Sequence, residues 1–84
     1  MIHFTKHARE KFGILKKHEF EIFREQVIET INNSELIDRS RFPLLIAQKK
    51  ISTIHVLRVV YKKENSNKII ITFYPGRTKQ YEQR

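Results

Sequence analysis

Two periodicities divide the chain. Phe4, Ala8, Phe12 and Leu15 recur at helical spacing, which predicts an amphipathic helix over residues 5–17 with Thr5 as its N-cap. Gly13 weakens its later turns. Phe20 and Ile22 alternate with charged residues in a short extended stretch. A second stripe, Phe23, Val27, Ile28 and Ile31, predicts a helix from Phe23 to Asn32 that stops at Asn33. From there the period becomes two, and strands are predicted over 36–41, 44–51, 54–63 and 68–74. Glu64-Asn65-Ser66-Asn67 supplies a hairpin turn, and Ile2-His3-Phe4 fits a short N-terminal edge strand. Strands joined by tight connections imply an antiparallel meander. The predicted fold is α+β: two N-terminal helices packed on one face of a four-stranded antiparallel sheet.

Alternation then assigns faces. Ile69, Ile71 and Phe73 form the more apolar side of the last strand and are placed against the helices. Lys68, Ile70, Thr72 and Tyr74 take the other side. In the preceding strand Leu57, Val59 and Tyr61 alternate with Val56, Arg58 and Val60. An unpaired guanidinium in the core is very costly, so Arg58 is assigned to the open face, beside Thr72 or Tyr74. One of Lys49 and Lys50 must join it. Pro75-Gly76 is read as a turn, after which Arg77, Lys79, Tyr81 and Arg84 follow.

Length bounds the answer to one domain, because 84 residues support a single core. The chain has no cysteine, so disulfides are excluded and a reducing cytoplasm is the expected setting. No apolar run suits a signal peptide or a membrane span, and no membrane association is expected. Charge adds a direction. The formal net charge is +8, yet residues 1–42 carry eight basic and seven acidic side chains, while residues 43–84 carry nine and two. Such an asymmetric field favours a polyanionic partner, with nucleic acid first.

Cations interleaved with aromatics suit RNA, since Lys and Arg meet phosphates and Tyr stacks on unpaired bases. Lys49, Lys50, Thr72, Tyr74 and Lys79 are therefore candidate RNA contacts. Internal transfer of an RNA phosphodiester needs a base, an acid and cations around the phosphorane. Arg58 and Arg77 suit the charge role, and Tyr81, Tyr74 or a lysine would need a lowered pKa to serve as base. Histidine is the more obvious base as a residue type, and His7 is the histidine candidate. No HExxH or paired-ligand spacing points to a metal, and no Gly-rich phosphate loop points to a nucleotide cofactor.

The segment His55-Val56-Leu57-Arg58-Val59-Val60-Tyr61, followed by Ile71-Thr72-Phe73-Tyr74-Pro75-Gly76-Arg77 and Tyr81-Glu82, resembles the C-terminal half of a family of small microbial proteins. Phe4-Thr5-Lys6-His7-Ala8 resembles their N-terminus. That family is similar in layout to the RelE/ParE superfamily and to BrnT, toxins of type II toxin–antitoxin pairs. The resemblance implies two N-terminal helices and a curved antiparallel sheet. It further implies metal-independent mRNA cleavage, often on the ribosome, with neutralisation by an acidic antitoxin, or alternatively ParE-like inhibition of gyrase. The matching positions for the cleavage cluster are Lys49 or Lys50, Arg58, Arg77 and Tyr81. A non-catalytic nucleic-acid binder using the same face is the remaining alternative.

Overall fold

A computed structural model describes residues 1–81. Its elements run β1 (Ile2–Phe4), α1 (Lys6–Lys17), α2 (Arg24–Asn32), β2 (Leu36–Asp38), β3 (Leu45–Lys50), β4 (His55–Glu64), β5 (Asn67–Arg77) and a 3-10 turn, Thr78–Gln80. The strands form one sheet in the order β1-β5-β4-β3-β2. The class is α+β, but the sheet is five-stranded and mixed. β1 lies parallel to β5, pairing Ile2, His3 and Phe4 with Lys68, Ile69 and Ile70, whereas the other pairs are antiparallel. The sequence pattern places a strand at Ile2–Phe4 but carries no information on its neighbour, because that neighbour is at the far end of the chain.

Both helices begin and end where local chemistry sets them. The Thr5 hydroxyl accepts the Ala8 N–H at 3.1 Å and so caps α1. Gln26 reaches back to accept the Phe23 N–H at 2.7 Å, starting α2, and Asn33 ends it. Ala8, fully buried, lets α1 approach the sheet closely. Phe12 packs on Phe73 with ring centroids 4.7 Å apart and on Phe4 at 5.9 Å. Val27 and Ile31 of α2 complete the core against Leu45, Ala47, Leu57 and Val59. No helix of the described residues is long and apolar enough to cross a membrane.

The face assignment of β5 needs correction from Ile71 toward its N-terminus. Val60 pairs with Thr72 but Tyr61 pairs with Ile70, so Ile71 is an extra residue in a bulge. The bulge shifts the alternation by one. Ile70 is fully buried in the core beside Phe73, and Ile71 moves to the helix-free side, next to Thr72 and Tyr74. Thr5 holds the bulge in place. Its hydroxyl donates to the Ile71 carbonyl at 3.2 Å, and its N–H donates to the Ile70 carbonyl at 3.0 Å.

A second correction concerns Pro75-Gly76, which does not turn the chain. β5 continues through both residues to Arg77. β1 covers β5 only from Lys68 to Ile70, so Pro75 stands where that outer edge has no strand partner among the described residues. A missing N–H is tolerated at such an edge. The turn to the C-terminal segment comes at Thr78–Gln80 instead.

Candidate nucleic-acid interface

The helix-free face is built by alternate residues of three strands: Gln48 of β3, Arg58 of β4 and Tyr74 of β5 stand in one register row. Arg58 lies on this face, beside Tyr74, yet it is only 6% exposed. The C-terminal segment covers it. The Tyr81 ring lies over the guanidinium, with 4.3 Å from Cζ to the ring centroid. Tyr81 also packs against Gly76, where a Cβ would overlap the ring. The Tyr81 carbonyl also accepts from the Gln48 amide at 3.3 Å.

Each nitrogen of the Arg58 guanidinium makes a hydrogen bond. Nε donates to the Tyr74 hydroxyl at 3.1 Å, one terminal nitrogen donates to Gln48 Oε1, and the other donates to Asp38 Oδ2 at 2.9 Å. Burial opposes its charge, but the hydrogen bonds with Tyr74 and Asp38 outweigh that cost and raise its pKa further. Asp38 is held at about 2, chiefly by the Ser40 backbone N–H and then by the Ser40 hydroxyl and Arg58. These three bonds use three of the five guanidinium N–H groups, leaving two for a further acceptor.

Around this cluster lies an open basin of about 590 Å³. Its lining carries Arg41 and Arg58 beside the Asp38 carboxylate, the polar groups of Thr72, Tyr74 and Tyr81, and apolar side chains that include Val60 and Ile71. His7 approaches from α1, across the edge of β5 left free by the end of β1. Its Nε2 lies 3.2 Å from the Thr72 hydroxyl. The basin therefore gathers Arg58, Thr72, Tyr74 and Tyr81, with His7 bonded to one of its walls.

Other candidates fall elsewhere. Lys49 pairs in register with Leu57 and so belongs to the helix side, where its Nζ lies 3.9 Å from Glu29 of α2. Lys50 is the lysine on the helix-free side, in a neighbouring cleft with Val56 and Tyr81. Arg77 pairs with His55, three positions before Arg58, and so takes the opposite side of the sheet. It lines a separate cleft with Lys79, Thr53, Ile54 and Thr78. The expected convergence of Arg77 with Arg58 and Tyr81 does not occur. Arg84 lies outside the described residues.

Sequence reasoning missed Asp38, Gln48 and Arg41. A buried arginine demands acceptors on adjacent strands, and Asp38 was the only carboxylate in the predicted strand 36–41. That demand was the available signal. Among the described residues, no group of three His, Asp or Glu side chains is arranged to hold a metal ion. Compared with known protein families, curated proteins and solved structures, the chain gives no match.

Proposed function

We propose that this protein binds single-stranded RNA in the basin on the helix-free face of its sheet. One observation carries the reading: in a single hollow of about 590 Å³ the face combines arginines, two tyrosines and apolar side chains. A splayed base finds apolar contact on Val60 and Ile71, and a phosphate meets Arg41 and the two remaining N–H groups of Arg58. Single-stranded RNA presents unstacked bases and phosphates at this scale, whereas a duplex hides its base faces. The net charge of +8 adds attraction at longer range. The test is fluorescence-anisotropy titration of a short single-stranded RNA. Arg41→Gln combined with Tyr74→Leu lowers affinity at least tenfold while the fold is retained. Unchanged affinity in that folded variant removes the basin from consideration.

A second reading, a toxin-like metal-independent endoribonuclease with a RelE/ParE- or BrnT-like fold, is favoured by the placement of His7. An imidazole bonded to Thr72 on the wall of a basin that also holds a guanidinium is a base candidate near a phosphate site. The two N-terminal helices on one sheet face support the layout. Against simple transfer of the cleavage cluster stands the separation of Arg77 from Arg58. Cleavage of a defined mRNA, with and without ribosomes and in the presence of EDTA, decides this reading. Cleavage abolished by His7→Gln supports it, and intact RNA under both conditions refutes it.

A further inference from the structure

Arg77 and Lys79 do not belong to the basin, and their own surroundings have a chemistry. They stand with Thr53, Ile54 and Thr78 around a cleft of about 360 Å³ at the end of the sheet. Among the described residues neither cation has a carboxylate within ion-pairing distance. The cleft walls are held by the backbone. Thr78 N–H donates to the Ile54 carbonyl at 2.9 Å, tying the tail to the β3–β4 connection. Ser52 Oγ accepts from the N–H groups of Ile54 and His55 at 3.3 and 3.0 Å, fixing that connection from within. Among the described residues the buried Thr78 hydroxyl has no hydrogen-bond partner, and Thr78 lines both this cleft and the next. A buried unmet hydroxyl is unfavourable.

We propose that this cleft is a phosphate-binding site, with Arg77 and Lys79 as its cations and the Thr53 hydroxyl as a neutral donor. Guanidinium and ammonium together match the charge and oxygen geometry of one phosphate. Position gives it a purpose, which rests on the proposed RNA reading of the basin. Thr78 lines both this cleft and the one holding Lys50 and Tyr81, and Tyr81 lines the basin in turn. A single strand with a base in the basin is led past Tyr81 and Lys50 to a phosphate held by Arg77 and Lys79. The phosphate is either an internal diester or a terminal phosphomonoester, and both offer the same oxygens.

The test compares two double variants, Arg77→Gln/Lys79→Gln and Arg41→Gln/Tyr74→Leu, by anisotropy with a short single-stranded RNA over a range of salt. The RNA is used with and without a 5′-phosphate. The cleft variant is expected to lose about fivefold to tenfold in affinity, with the slope of log K against log salt reduced by about 1.4 for two lost cations at ~0.7 each. A loss with both RNAs marks an internal diester, and a loss only with the phosphorylated RNA marks a chain end. Wild-type affinity and slope in the cleft variant, with binding lost in the basin variant, overturn the cleft and leave the basin reading intact. Loss in the cleft variant alone upholds the cleft and removes the basin. No change in either variant overturns both.

Discussion

Gly76 packs so closely against the ring of Tyr81 that a methyl group in place of its hydrogen would overlap ring atoms. This contact helps fix where the C-terminal segment crosses the sheet, together with the seating of the same ring over Arg58. Backbone φ at Gly76 is not in the left-handed region, so the need for glycine there is one of space. Gly76→Ala is expected to lift Tyr81 from Arg58 and uncover Val56, which is 3% exposed on the helix-free side. The expected outcome is faster hydrogen exchange at Gln48 and Tyr81 with a loss of about 1–2 kcal/mol in urea unfolding, within the usual range for point mutants. Exchange and stability equal to wild type would contradict the packing.

Arg58 is a structural residue before it is anything else. Arg58→Ala leaves Gln48 and Asp38 without their partner, and breaking such a pair costs about 3 kcal/mol. The paired replacement Arg58→Met/Asp38→Leu is expected to cost clearly less than the sum of the single changes. Urea denaturation of the four members of that cycle measures the coupling. Additive losses would show that the two side chains do not act as a pair.

Acid stability follows from Asp38. Its folded pKa, about 2, lies below the ordinary 3.8, so the folded state holds the carboxylate and the unfolded state takes up the proton first. The contribution is complete above about pH 4 and disappears as pH falls through about 2. The side chain is 27% exposed, so solvent screening limits the effect to about 1–2 kcal/mol. Asp38→Asn is expected to flatten this part of the stability profile, measured as urea midpoints between pH 5 and 2. An unaltered profile would place the acid sensitivity elsewhere.

Local patterns made most of this fold legible. Helical spacing at Phe4, Ala8, Phe12 and Leu15 located α1, the Thr5 cap marked its start, and β-branched runs located β3 to β5. The β5 faces were misread from Ile71 toward the N-terminus of the strand, because a bulge leaves no mark on strict alternation. Cost reasoning placed Arg58 on the helix-free face correctly, since a guanidinium cannot sit unpaired among Leu57 and Val59. The same reasoning stopped short of Asp38 and Gln48, whose positions depend on β2 and β3 register. Arg77 was grouped with Arg58 on the premise of a turn at Pro75-Gly76. A strand that runs on to Arg77 sends that residue to the other side.

Thr5 connects these levels, because one hydroxyl both caps α1 and satisfies the bulged carbonyl of Ile71. Thr5→Ala is expected to cost about 1–2 kcal/mol, the upper part of the range for N-cap loss. Thr5→Ser, which keeps the hydroxyl, is expected to recover most of it. Thermal or urea unfolding of the two variants separates the hydroxyl from the methyl group, and equal losses would refute the dual role.

The most direct test of RNA binding in the basin is an NMR titration of the isotopically labelled protein with a short single-stranded RNA. Saturable shifts are expected at the backbone amides of Arg41, Ile71, Thr72, Tyr74 and Tyr81, with the α2 amides unmoved. Absence of saturable shifts, or shifts confined to the helix side of the sheet, would contradict it.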